Sequence, residues 1–287
     1  MKISLGFLVV CCTALTTLAQ QPDKLLIRVR YTQIKKTDTI INGKARHENM
    51  LLFVGKNASL FTSYDKIIHE VAEDQKFRAM IMNRATTSSR PMAFTIDNTP
   101  TNWMTKNSYY YFAKENKLFV KEVMALQGYL MEEIAPPIKW KLTKDTASFS
   151  GIKCMKATAT VADQKWIAWF APDLPFQAGP WKLNSLPGLI IEAYDEDKNL
   201  YFQFAGIENA KEGDIERTFD VTKQPNASKD TFNPVDQLIG RDVASAYYQS
   251  TIKLPADAIK TDKEKFEKLR EAFLKDPKGF TRSQGRY

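Results

Sequence analysis

The chain is poor in the residues that organise most disulfide-stapled domains and most enzymes. Its 287 residues include three cysteines, and two of these, Cys11 and Cys12, fall in an apolar run at the very start. With that run set aside only Cys154 remains, so no intramolecular disulfide is expected and the fold must rest on its apolar core. Histidine is equally scarce, with His47 and His69 the only two. Neither has a second histidine one helical turn away, no metal-ligand spacing occurs, and both a G-x-S-x-G turn and a phosphate loop are missing. The sequence therefore implies no cofactor and no metal site. Charge is not blocky either: Lys and Arg are interspersed with Asp and Glu, and no run of five or six like charges appears. The net charge of +8 then describes a solvated surface with a mild attraction to anionic surfaces, and nucleic acid is not an expected partner. There is no internal repeat, and beyond the first residues no apolar run is long enough to span a bilayer.

What is present begins with an export signal. Met1-Lys2 forms a short basic region, Ile3 to Leu15 an apolar one, and Thr17-Leu18-Ala19 places small residues at the −3 and −1 positions of a signal peptidase site. Cleavage is expected after Ala19, giving a signal peptide over 1–19 and an exported protein of the periplasm or outer envelope. Cys11 and Cys12 follow Val9-Val10 inside the apolar region rather than a lipobox at its end, which argues against lipidation. Lys2 is the only charge lost, so the remaining chain carries +7. Residues 20–287 are enough for one large domain with a substantial core.

Most of that domain has the period of β-structure. Leu25, Ile27, Val29 and Tyr31 alternate with Arg28 and Arg30, the pattern of a half-buried strand. Met50 to Val54 and Ser59 to Phe61 follow around a Gly-Lys-Asn turn. Between 65 and 84 the spacing of Ile67, Ile68, Val71, Ala72, Ala79 and Met82 predicts an amphipathic helix. A polar loop with one short strand at 92–96 precedes a meander at 109–112, 117–123, 128–134 and 138–142, in which Pro136-Pro137 separates the last two. Cys154 to Ala162 and Trp166 to Phe170 read as a hairpin turning at Asp163-Gln164. Leu189, Ile191 and Ala193 match Leu200, Phe202 and Phe204 as an antiparallel pair. A helix is expected within 234–248, and a better one over 261–275. There Thr261 and Glu264 suggest a capping box, Phe266, Leu269 and Phe273 an apolar stripe, and Pro277 and Gly279 a stop.

The most informative stretch runs from Trp166 to Ile190. W-I-A-W-F is apolar on both faces, which predicts a strand covered on each side. Leu186-Pro187-Gly188-Leu189 suits a type II turn, with Gly188 supplying a positive φ, so a β-branched residue at 188 should be destabilising. The S-L-P-G-L-I of 185–190 resembles the signature of the GLPGLI family, secreted proteins of Bacteroidetes-type bacteria. Supporting residues occur in the same order: Tyr129-Leu130 and Glu133, Trp140-Lys141-Leu142, Cys154 with Lys156-Ala157, Ala168-Trp169-Phe170, Leu174-Pro175, Gly179-Pro180, then Leu186, Pro187, Gly188, Leu189 and Ile190. Ser185 stands where the name motif has its first glycine. The resemblance implies a β-rich envelope protein, with an outer-membrane transporter as a possible partner, and carries no activity.

Candidate chemistries all have plainer readings. Asp195, Asp197 and Asn199 begin like a calcium loop but lack its glycine and late glutamate, so a hairpin turn is expected. His47-Glu48 and His69-Glu70 could ligate a metal, although surface roles are the default. Cys154 could be reactive, with lysines nearby, but burial is the commoner fate. Tyr109-Tyr110-Tyr111, Trp166 and Trp169 could line a groove, and aromatics also favour sheets for packing alone. The fold class expected is α+β, mainly antiparallel, as a curved sheet or half-open barrel with one packing helix and a C-terminal helix. The leading functional expectation is a non-enzymatic binding or carrier protein for an apolar ligand, accessory to a transporter. A hydrolytic enzyme and a protein-docking module are the alternatives. Any binding site is expected beside the Trp166–Ile190 run rather than within it.

Overall fold

A computed structural model describes residues 22–36, 45–70, 72, 104–125, 127–133, 137–210 and 251–283. The signal peptide expected over 1–19, the strand expected at 92–96, the helix expected within 234–248 and the part beyond residue 72 of the helix expected over 65–84 lie outside them. The strands are β1 Asp23–Lys24, β2 Ile27–Lys35, β3 Arg46–Val54, β4 Ala58–Ser63, β5 Ser108–Phe112, β6 Lys117–Met124 and β7 Gln127–Glu133. They continue with β8 Lys141–Phe149, β9 Ile152–Val161, β10 Gln164–Ala171, β11 Leu189–Asp195, β12 Leu200–Asn209, β13 Thr251–Ile252 and β14 Ile259–Thr261. Two helices follow, α1 Lys263–Lys275 and α2 Pro277–Ser283. The fold is α+β and mainly antiparallel.

Twelve strands form one sheet in the order β14-β7-β6-β5-β4-β3-β2-β12-β11-β10-β9-β8, while β1 pairs with β13. The sheet consists of two meanders, β2 to β7 and β8 to β12. Their junction is the antiparallel pairing of β2 with β12, in register from Ile27↔Asn209 to Lys35↔Leu200 around a bulge at Phe204/Gly206. Only β14, beside β7, runs parallel to its neighbour. β7 and β8 are ten strand spacings apart in this order, about 48 Å in a flat sheet. The eight-residue step from Glu133 to Lys141 spans at most about 28 Å, so the sheet must curl its ends toward each other. It does so without closing, since β14 and β8 remain its two edges.

The segment 172–188 packs within this curl. Lys182 Nζ donates to Glu133 Oε1 (2.7 Å) at the end of β7, Trp140 Nε1 donates to the Asn184 carbonyl (2.8 Å) just before β8, and Ser185 Oγ lies 3.3 Å from the Tyr111 hydroxyl of β5. Ala178, Leu183 and Leu186 from this segment join Tyr31, Phe61, Trp166, Phe170 and Phe202 in the main core. The Tyr31 hydroxyl donates to the Ile190 carbonyl at 2.6 Å, tying β2 to β11 through the core. Further along the same face α1 covers β6 and β7, with Phe266 among Val120, Met124, Tyr129 and Met131. The opposite face is covered by a helical segment over 64–70, through Ile67, and by Leu25 and Ile252.

Several local expectations are revised. In β2 Arg28 is buried while Arg30 on the same face is exposed, so that face is covered at its start and solvated further along. β8 extends to Phe149, well beyond the strand expected at 138–142, as an edge strand whose residues are mostly exposed. β10 is internal, yet within Trp166–Phe170 only Trp166, Ala168 and Phe170 are fully buried, and Ile167 and Trp169 are half-exposed. The hairpin turns at Ala162-Asp163 rather than Asp163-Gln164, both residues having positive φ as a type I′ turn requires. The Ser150-Gly151 turn between β8 and β9 does the same. In α1 the N-cap is Asp262, whose carboxylate accepts from Lys265 N at 2.8 Å; Thr261 ends β14 instead. α1 does end at Lys275, just before Pro277, but Pro277 then opens α2, a first-turn position that tolerates its missing N–H.

The turn before β11 also works differently from the expectation. Gly188 does not adopt positive φ; it is needed because a Cβ there would lie 2.3 Å from the Ala171 carbonyl oxygen. Gly179 is similar, a Cβ meeting Ile190 Cδ1 and the Leu183 carbonyl oxygen at 2.6 Å each. The left-handed positions are Trp181 (φ 56°) and Ser185 (φ 66°). Ser185, where the name motif has glycine, is thus the residue whose backbone favours glycine.

Candidate functional site

The 172–188 segment covers one part of the sheet's inner face and α1 another. Between them lies a cavity of about 650 Å³, within the roughly 300–1,000 Å³ typical of small-molecule sites. Its floor is Phe61 of β4 and Phe202 of β12, which meet edge to face with centroids 5.6 Å apart. Trp181 forms one wall, with Tyr109 of β5 nearby, and Phe273 of α1 faces them from the far side. Leu274, 71 % exposed, sits at the rim.

Polar side chains share this lining: Gln33 and Lys35 of β2, Thr105, Lys106 and Asn107 ahead of β5, Glu122 of β6 and Arg270 of α1. The segment leading into β5 is fixed by Glu48, a buried carboxylate of β3, which accepts from Thr105 N (3.0 Å) and Thr105 Oγ1 (2.8 Å). Gln33 Nε2 adds a longer bond to the same hydroxyl oxygen, at 3.3 Å. Lys106 is thereby held at the cavity edge, though itself exposed. Burial raises the pKa of Glu122 above the ordinary carboxylate range, against the opposing pull of Arg270 and Lys106. Burial also raises Tyr109, opposed by hydrogen bonds with Asn107 and Trp181. Behind the lining, Trp166 stacks on Phe202 (6.1 Å, 14°) and lies 5.4 Å from the Trp181 ring, and its buried indole N–H has no hydrogen-bond partner among the described residues.

The residues that carry the family resemblance line none of this cavity. Cys154, Leu186, Leu189 and Ile190 are core, Trp140 and Trp169 pack against it, and Gly179, Pro180 and Gly188 are buried shaping residues, with Pro187 exposed. Trp181 is the member of the Trp166–Ile190 run that reaches the cavity. Of the aromatic candidates, Tyr109 is a lining residue, while Trp166 supports the floor from beneath. Cys154 is 1 % exposed, and burial followed by the nearby Glu192 carboxylate lifts its thiol to a pKa of about 11, the opposite of an activated nucleophile. Asp195 closes its hairpin by accepting from Leu200 N at 2.8 Å. His47 is exposed on β3, His69 lies in the 64–70 helix, and among the described residues no three His, Cys, Asp or Glu side chains gather.

The sequence reading missed Gln33, Lys35, Lys106, Glu122 and Arg270. The only hint for Glu122 is a carboxylate on the inward parity of a strand otherwise carrying Leu118, Val120 and Met124. Arg270 follows Phe266 by one helical turn, a spacing that places it on the sheet side of α1. Neither signal is specific without the sheet order.

No protein-family model and no curated protein matches the chain. Two solved structures of PNGF-II, in space groups C2 and P21, are similar at TM-scores of 0.47 and 0.48 with 12% identity, covering 85% of this chain. The chain corresponds to only 32% of the length of PNGF-II. Among the described residues no helix is long and apolar enough to cross a membrane.

Proposed function

We propose that this chain is an exported envelope protein of the GLPGLI type that binds a small ligand with a large apolar part, as a carrier or as an accessory to an outer-membrane transporter. The observation that supports it is the 650 Å³ cavity with Phe61, Phe202, Trp181 and Phe273 around it. Apolar burial on rings already held in place contributes about 25 cal/mol per Å² of ligand surface removed from water. Exposed Leu274 at the rim extends that surface outward. Export rests on the Met1–Ala19 reading. Solvent extraction and mass spectrometry of protein purified from its native host test the binding. A stoichiometric small molecule is the expected result, and protein that is empty when isolated and takes up no added hydrophobic probe would sink the reading.

One observation favours an enzyme as a second reading. Glu122 has the raised pKa of a general acid and shares the cavity with Tyr109. Hydrolysis of a panel of chromogenic esters and glycosides, lost on Glu122→Gln with the fold intact, would establish it; no turnover by the native chain would remove it.

A further inference from the structure

We infer that the ligand of this cavity is an amphiphile with an anionic oxygen head group, a carboxylate or a phosphate, seated between Arg270 and Lys106 with its tail on the aromatic floor. The inference deepens the carrier reading and rests on it. An uncharged hydrocarbon would leave much of the lining unused, because the polar groups are not scattered around the cavity at random. Among the described residues three cations, Lys35, Lys106 and Arg270, line it against one carboxylate, Glu122. Glu122 is in addition shifted by burial toward its neutral form, in which it can donate to an anion rather than repel one.

The remaining acids nearby are engaged. Glu48 accepts from Thr105, and Glu133 pairs with Lys182 outside the lining. Glu267, a turn before Arg270, shares that guanidinium, and a planar fork with five donors retains capacity for a second oxygen partner. The two cations approach from different elements. Lys106 comes from the strap that Glu48 pins ahead of β5, and Arg270 comes from α1; both charges act on Glu122, and Trp181 and Phe273 line the same cavity. An anionic head at the mouth and an apolar body beneath match both halves of the lining, whereas a purely polar anion would leave Trp181 and Phe273, both partly exposed, without an apolar partner.

Three twelve-carbon probes used as monomers separate the possibilities: dodecanoate, dodecyl phosphate and dodecanol, followed by tryptophan fluorescence, since Trp181 lines the site. One or both anions should bind about tenfold tighter than the alcohol, the worth of one charge-assisted hydrogen bond. Whichever anion is preferred identifies the head group. Arg270→Gln and Lys106→Gln should each bring anion affinity toward that of dodecanol and leave dodecanol binding unchanged. Both positions are largely exposed, so unaltered thermal unfolding is the check on fold. Equal affinity for alcohol and anions would overturn the head-group assignment while leaving the carrier reading standing. Binding of none of the three would overturn both.

Discussion

Ser185 and Gly188 show how much a single backbone position decides. Ser185 holds φ 66°, a region that costs a residue with a Cβ about 1–2 kcal/mol. Ser185→Gly and Ser185→Ala both lose the hydroxyl bonds to Asn184 and Tyr111. The glycine variant should nevertheless be the more stable of the two, by about 1 kcal/mol in urea unfolding. Gly188→Ala should cost about 1–3 kcal/mol in the same assay, because even one methyl meets the Ala171 carbonyl. Proline and glycine punctuation was legible in the sequence, but its mechanism was not: close approach of β11 to β10 is a tertiary fact, and it moved the φ requirement from Gly188 to Ser185. Buried Glu192 gives a pH signature. Burial raises its pKa against hydrogen bonds from Tyr201 and Phe204 and the Lys198 charge, and the Cys154 thiol lies nearby. A raised carboxylate contributes its full stability below the unfolded value and loses it as pH rises through the folded one. The melting temperature of Glu192→Gln minus that of the native protein should therefore be larger at pH 8 than at pH 4; a gap independent of pH would contradict the assignment.

Among elements, those with one face in the core were readable and the edge was not. β2 announces itself by alternating apolar residues, β11 and β12 by matching apolar faces, and α1 by its Phe266-Leu269-Phe273 stripe. β8 reads T-K-D-T-A-S over 143–148 because it has a partner on one side only and little core contact. Its Lys156–Asp145 bridge to β9, at 3.1 Å and substantially exposed, adds little. Hydrogen exchange should reflect the contrast. Amides of β8 should exchange by local opening, far faster than those of β10, which lies between β9 and β11 and should wait for global unfolding. Equal protection in the two strands would mean that β8 is covered in solution.

At the scale of the molecule, the curl follows from a short connection between distant strands, and the cavity follows from the curl. Two separate covers, the 172–188 segment and α1, leave a gap over Phe61 and Phe202. The sequence carried the α+β class and the strands of both meanders, yet not the strand order that pairs β2 with β12 and brings Gln33, Glu122 and Arg270 to one place. Those residues lie 59 to 148 positions from Trp181 and 89 to 237 from one another, and no local pattern encodes such a meeting. The most direct measurement is a crystal structure of the protein isolated from its native host. Continuous density for one elongated molecule is expected, its body against Trp181 and Phe273 and its head at Arg270 and Lys106. A cavity holding only water, or a ligand bound on another face, would contradict it.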